Sequence, residues 1–397
     1  MQPDSSRLTR PSPFRIPGIV GLCAGSLCIG SVPGAARPSE PQGPGPGYTL
    51  FAPLVSRTTY LIDMQGDVVH TWPGRSTPGH AVYLLGDGSL LRTDRHPSDS
   101  VFRGGGQGGR VERLAPDGRV LWDFVYSDDD HLQHHDVQPM PNGNVLVLAW
   151  ECKTKAEAIR AGRDPRRVTD DGFWPDEILE IEPVGAQGGR VVWEWHAWDH
   201  LIQDRNPRAD NHGDVAAHPE LIDVNGEWID TRARRVVREE DRRLAALGYG
   251  GGGDDEEDDE DGNEPAEQAR WGPGWGDWMH TNSIAYDAEL DQIVLSVRNF
   301  SELWIIDHST TTEEAAGHRG GRQNRGGDLL YRWGNPATYR AGNAGDQLLF
   351  GQHDVSWIAS DCPGAGNLLV FNNGKRRPGR EYSSVEEIRP PLDEAGG

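Results

Sequence analysis

One pattern recurs along this chain and narrows what it can fold into. A histidine opens a largely apolar run, a turn follows, and a second apolar run returns. The copies begin at His80, His135, His280 and His353, spaced by 55, 145 and 73 residues. The longest interval has room for two units and contains a weaker echo, His212-Gly-Asp-Val. Between the histidine units lie hairpin patterns that end in tryptophan: Tyr60 to Trp72, Val111 to Trp122, Ile178 to Trp195, and Leu303 to Asp307 matched by Leu329 to Trp333. A period of 50–75 residues built from paired hairpins is the mark of propeller blades. The fold class expected is therefore all-β, a β-propeller. Its 51 glycines and 14 tryptophans among 397 residues suit many short strands joined by tight turns.

The propeller has a functional consequence. The innermost strand of every blade lines one central channel. A residue that recurs at the start of that strand points at the common axis, so the four histidines are expected to converge.

Other stretches read as additions to that body. Arg7, Arg10 and Arg15 precede an uncharged stretch, Ile16 to Ala36, that ends in small residues, which predicts an export signal over 1–36 and a periplasmic or extracellular protein. A Pro/Gly linker occupies 37–47, and the propeller is expected over 48–397. Eight consecutive acidic residues, Asp254 to Asp261, predict a disordered acidic insertion near 245–270. The net charge of −23 argues against a nucleic-acid partner, which needs clustered positive charge. No segment after the leader is apolar enough for a stable membrane span. Cys152 and Cys362 remain once the leader is removed, and sequence alone does not say whether they pair.

Clustered histidines suggest a metal first. Metal ligands usually sit close together on one element, and only His131, His134 and His135 do so here. Arg298 follows His280 by 18 residues, on the strand returning from the hairpin. Its fixed positive charge opposes a cation and favours an anion. Histidines plus an arginine read as an oxyanion site, with no metal and no cofactor. Trp193, Trp195, Trp198, Trp275 and Trp278 are candidates for stacking on an aromatic ligand, although blade packing is the simpler reading for Trp193 and Trp195. Asp136 and Asp354, each following a histidine, are expected to orient their neighbours or cap a strand. His196, His200 and His218 read as structural or surface residues.

Several motifs then occur in order. They are His134-His135-Asp136 with Met140 to Asn144, the run Gly276 to Ser283 with Leu295 to Arg298, and Phe350 to Val355 followed by Phe371 to Gly374. Over about residues 48 to 390 the chain resembles the bacterial arylsulfate sulfotransferase family. That resemblance implies a six-bladed propeller that moves a sulfuryl group from an aryl sulfate to a phenol without a nucleotide sulfate or a metal. It implies that His353 is transiently sulfurylated, while His280, Asn282, Arg298 and His135 hold the sulfuryl oxygens and manage protons. Trp275 and Trp278 are the expected substrate-stacking residues. Only 44 residues follow His353, so the chain is also expected to lack the last blade of the family or to close its ring differently. Two other readings stay open at this level: a propeller that binds anionic or sulfated aromatic ligands without catalysis, and a metal-dependent hydrolase or oxidoreductase.

Overall fold

The computed structural model describes residues 46–97, 101–102, 104–227 and 276–391. The expected leader, the acidic insertion, Trp275 and most of the linker lie outside those residues. The described part is built almost wholly of antiparallel strands, arranged as five blade-like sheets. Blade 1 holds β1 (Thr49–Phe51), β2 (Thr58–Ile62) and β3 (Val68–Pro73). Blade 2 holds β4 (Pro78–Leu84), β5 (Leu90–Arg95), β6 (Gly109–Leu114) and β7 (Val120–Val125). Blade 3 holds β8 (His131–Pro139), β9 (Val145–Glu151), β10 (Asp176–Pro183) and β11 (Gly189–His196).

An excursion then carries a two-residue parallel pair, β12 (Leu201–Ile202) and β13 (Ile222–Asp223). Blade 4 holds β14 (Thr281–Asp287), β15 (Gln292–Val297), β16 (Glu302–Asp307) and β17 (Tyr331–Trp333), and blade 5 holds β18 (His353–Trp357), β19 (Leu368–Asn372) and β20 (Ser384–Ile388).

Every hairpin read from the sequence is present, and strand order within each blade follows the chain. The inner hairpins turn at Asp87-Gly88 and Asn142-Gly143. There φ values of 80° and 89° require glycine, and the Gly N–H groups donate to Leu85 O and Met140 O. The described residues form five blades, where the resemblance implies six with the last one lacking or the ring closed differently. One expectation needs correction. The 145-residue interval holds one blade and an excursion: His212 opens no blade but sits in a loop bridged to Gln203.

The tryptophans that end the outer strands join neighbouring blades. Trp72 Nε1 donates to Ala115 O at 3.2 Å, Trp122 Nε1 to Gly188 O at 2.7 Å and Trp195 Nε1 to Gly327 O at 2.8 Å. In each case the acceptor lies between the third and fourth strands of the next blade. The indole fills the gap between sheets while its only donor is satisfied. Trp193 behaves likewise, bonding Thr310 Oγ1 at 3.1 Å. These rings therefore pack blades and do not face the axis. Cys152 is half-buried and Cys362 exposed, and both thiols are free. Among the described residues no helix is long and apolar enough to cross a membrane.

Candidate active site

The inner strands of successive blades lie side by side: β4 packs on β8, β8 on β14, and β14 on β18. All four share a local irregularity at the histidine. Register slips between Pro78 and Val82, Gln133 and Val137, Thr281 and Ser283, and His353 and Ser356. Left-handed backbone accompanies each slip, with φ of 86° at His80, 47° at His135, 52° at His280 and 55° at Asp354. Such a conformation costs a non-glycine residue on the order of 1–2 kcal/mol. A bulge re-aims a side chain that a regular strand would point at the neighbouring sheet.

The re-aimed rings meet. His135 and His280 have centroids 4.6 Å apart, and His80 and His135 5.9 Å. Burial first, and then the neighbouring imidazoles led by His280, push His135 well below its ordinary range. His80 is lowered to about 4 by desolvation, with Arg95 and His280 adding to it, even though the residue as a whole is exposed to solvent. His353 is lowered to about 4 by burial and then by the charge of Arg298. Arg298 follows β15, and its charge bears on Asp277 as well as on His353.

Each ring is oriented by a partner. His353 Nδ1 lies 2.7 Å from Asn373 Oδ1 and 3.1 Å from Gly351 O. Both are acceptors, so Nδ1 carries the proton and Nε2 keeps its lone pair. His280 Nδ1 bonds to the buried carboxylate of Asp277. Burial alone would raise Asp277, yet His280, His134 and Arg298 together hold it below its ordinary value. His135 Nδ1 meets His134 Nδ1 at 2.9 Å, and His134 stacks on Trp150 with centroids 4.1 Å apart and faces Asp176 Oδ1 at 3.3 Å through Nε2. Asp136 does not orient its neighbour. It joins blades, accepting from Tyr83 Oη at 2.7 Å and Ile284 N at 3.1 Å.

Of the residues expected from sequence, His135, His280, Arg298 and His353 come together. Asn282 sits at the cluster's base, where its Nδ2 donates to Gln352 O at 2.8 Å and ties blade 4 to blade 5. Its buried Oδ1 has no hydrogen-bond partner. Trp278 does not line the cluster. It is 2 % exposed, donates to Glu227 Oε2 at 3.2 Å and packs on Phe173 and Phe300. Gly276 approaches Trp174 so closely that no Cβ fits between them, and the next residues turn Asp277 toward His280 and Trp278 into the core.

Two features were not read from the sequence. Asp277, three residues before His280, is one. The other is the glycine-rich stretch from Gly104 to Gly109. His135 N donates to Gly106 O at 2.6 Å, and a Cβ on Gly106, whose φ is 83°, would collide with the His135 imidazole. Five glycines in six residues beside a blade hairpin were the available signal.

The family model described as arylsulfotransferase (ASST) matches residues 51–388, nearly the whole of the blade-forming region. The chain belongs to the arylsulfotransferase family. Among curated relatives, the chain is 26 % identical over 384 residues to the arylsulfate sulfotransferase AssT of Escherichia coli O6:H1. The match covers 89 % of this chain and 53 % of the relative, so the chain spans about half the length of that relative. Two solved structures resemble it only distantly. A protein of unknown function from Bacteroides caccae is 11 % identical, with a TM-score of 0.37 over 86 % of this chain and 73 % of that one. Kuenenia stuttgartiensis hydrazine synthase is 13 % identical, with a TM-score of 0.39 over 87 % and 68 %. Likenesses this distant add nothing to the assignment.

Proposed function

We propose that this arylsulfotransferase moves a sulfuryl group from an aryl sulfate to a phenolic acceptor, with His353 as the covalent carrier. The observation that carries the reading is the pair of acceptors on His353 Nδ1, which leaves Nε2 unprotonated beside Arg298. A ring whose pKa is depressed to about 4 is neutral at physiological pH and so available as a nucleophile.

In the first half-reaction Nε2 forms a bond to sulfur as the S–O bond to the aryl group breaks, and the electron pair leaves on the phenolate. Sulfuryl transfer resembles phosphoryl transfer, in which charge spreads over three equatorial oxygens and the leaving oxygen. Arg298 meets that charge with its guanidinium. His280, held by Asp277 through Nδ1–H, enters the first half-reaction with a second proton on Nε2: that proton passes to the departing phenolate, and in the second half-reaction the freed Nε2 takes the proton of the acceptor phenol, whose pKa is about 10. In the second half-reaction the acceptor oxygen bonds sulfur as the N–S bond breaks, and His353 returns to its resting state. His135 contributes to the same polar wall.

The reading needs neither a nucleotide sulfate nor a metal in the reaction. It also keeps the six-blade ring that the resemblance implies and export through the leader over 1–36. The test is kinetic. With 4-nitrophenyl sulfate and varied phenol, a carrier mechanism gives ping-pong kinetics, and without acceptor it gives a burst of one equivalent of 4-nitrophenol. Intersecting double-reciprocal lines and no burst would reject the carrier.

A further inference from the structure

Three metal-ligand side chains converge on the outer strands, on residues the proposed reaction does not use. His200 ends the turn Ala197–His200 after β11, while His318 and Asp328 stand in the connection between β16 and β17. One ligand atom from each lies within 4.8 Å of the other two. His200 Nδ1 is 2.9 Å from Asp328 Oδ1, and His318 Nδ1 is 2.8 Å from the same oxygen. The His200 side chain is fully buried and that of Asp328 nearly so, whereas His318 is 60 % exposed.

Counting protons shows what this arrangement asks for. His200 Nε2 lies 2.9 Å from Ala315 O, and a carbonyl only accepts, so Nε2 carries hydrogen. Nδ1 then faces the Asp328 carboxylate either as the second N–H of an imidazolium or, with that proton displaced, as a lone pair beside a carboxylate oxygen, the arrangement a metal cation takes up. A metal-bound histidine characteristically donates its other ring N–H to a carbonyl or carboxylate, which fixes tautomer and orientation. His200 is set up in that way. Trp195 stacks on it with an interplanar angle of 7°, and Gly327 lets the chain pass where a Cβ would stand 2.6 Å from Nε2.

We propose that His200 Nδ1, His318 Nδ1 and an Asp328 carboxylate oxygen bind one divalent ion of the zinc class, with water in the fourth position. Two imidazoles and a carboxylate are a donor set zinc accepts, and the nitrogens select it over calcium or magnesium. Bonds of about 2.0–2.1 Å at tetrahedral angles place ligand atoms roughly 3.3 Å apart. Both contacts with Asp328 must therefore open by about half an ångström, one through the exposed His318 ring and the other by a small shift of the buried His200–Asp328 pair. The ion fastens the loop between β16 and β17 to blade 3, where Trp195 also bonds Gly327 O.

A second cluster, Glu151, Glu177 and His196, meets the same distance criterion. There the charge is already balanced. Lys153 pairs with Glu151, and its carboxylate neighbours, Glu151 first, outweigh burial to raise His196 to about 9, which makes it a cation itself.

The untagged full chain, stripped with chelator, is titrated with Zn²⁺ alone. One equivalent binds saturably and raises the melting temperature. In His318→Ala, whose ring is mostly in solvent, that binding and the thermal shift are lost, and Asp328→Asn weakens binding at least ten-fold. Co²⁺ replaces Zn²⁺ and gives tetrahedral visible absorption in the wild type only. No saturable Zn²⁺ binding, wild-type affinity in His318→Ala, or loss of binding in His196→Gln but not in His318→Ala would overturn the proposal.

Discussion

His135 and His280, carried by different blades, meet with ring centroids 4.6 Å apart and planes crossing at 68°. The approach is too close for both rings to be cations in a partly buried space, and His280 is the largest charge acting to lower His135. The cluster therefore works with mostly neutral imidazoles and draws its fixed positive charge from Arg298. In the proposed reaction the neutral rings would supply lone pairs and the guanidinium an anion site, the division of labour that group transfer to nitrogen needs.

The orientation of His280 depends on Asp277. Asp277→Asn is expected to lower kcat for 4-nitrophenyl sulfate on the order of 10²-fold, the scale of one general acid–base contribution. KM should change little and the circular dichroism spectrum should keep its β form. Wild-type kcat in this variant would show that the carboxylate has no part in catalysis.

Acid inactivation reports on His353. Its folded pKa of about 4 keeps the nucleophile unprotonated well below the pH at which a solvent-exposed histidine, near 6.5, gains its proton. The acid limb of the burst rate should fall near pH 4. In Arg298→Gln the limb should move upward, because a cation that opposes protonation is gone. A limb near 6.5 in the wild type would show that His353 titrates as an ordinary histidine.

Gly106 covers His135 without touching chemistry itself. Gly106→Ala forces a Cβ into the imidazole at a left-handed φ, so either the loop or the ring must move. A displacement of about 1 Å at a reacting group lowers rates on the order of 10²-fold. Activity should drop on that scale with the melting temperature only modestly reduced, measured by turnover and thermal denaturation on the same preparation.

The alkaline side of the stability curve belongs to another cluster. His196 is raised to about 9: burial opposes the shift, and Glu151 and Glu177 outweigh it. Between pH 6.5 and 9 the folded state therefore binds more protons than the unfolded chain, so stability falls as pH rises through that window. Glu177, raised to about 8 chiefly by burial, adds the same sign up to its own pKa. Urea denaturation from pH 7 to 9 should show the decline, and His196→Gln should flatten it.

Blade architecture was legible because it is periodic: alternating apolar residues, Asp-Gly and Asn-Gly turns and strand-ending tryptophans are local signals. The reading of Trp193 and Trp195 as packing residues follows from the same repeats. The convergence of His135, His280, Arg298 and His353 was legible once the repeats were aligned. How the rings are aimed was not. A left-handed bulge at His80, His135 and His280 leaves no mark in composition, since these positions would favour glycine on backbone grounds alone. Trp278 illustrates the opposite failure. A tryptophan two residues before a site histidine lies close along the chain, but the turn at Gly276 places its ring in the core. Asn282 was expected at substrate: its Nδ2 is held by Gln352 O, while its buried Oδ1 has no hydrogen-bond partner.

The indole links between blades carry stability without chemistry. Trp122→Phe removes a buried donor and leaves Gly188 O without it, a loss of about 2 kcal/mol. Chemical denaturation should show that loss while kcat stays at the wild-type value.

Mass spectrometry of the enzyme mixed with 4-nitrophenyl sulfate and quenched before acceptor is added measures the carrier step itself. The peptide containing His353 should gain the mass of one sulfuryl group and lose it again when phenol is supplied. An unmodified His353 in an enzyme that turns over, or full activity in His353→Ala, would contradict the account.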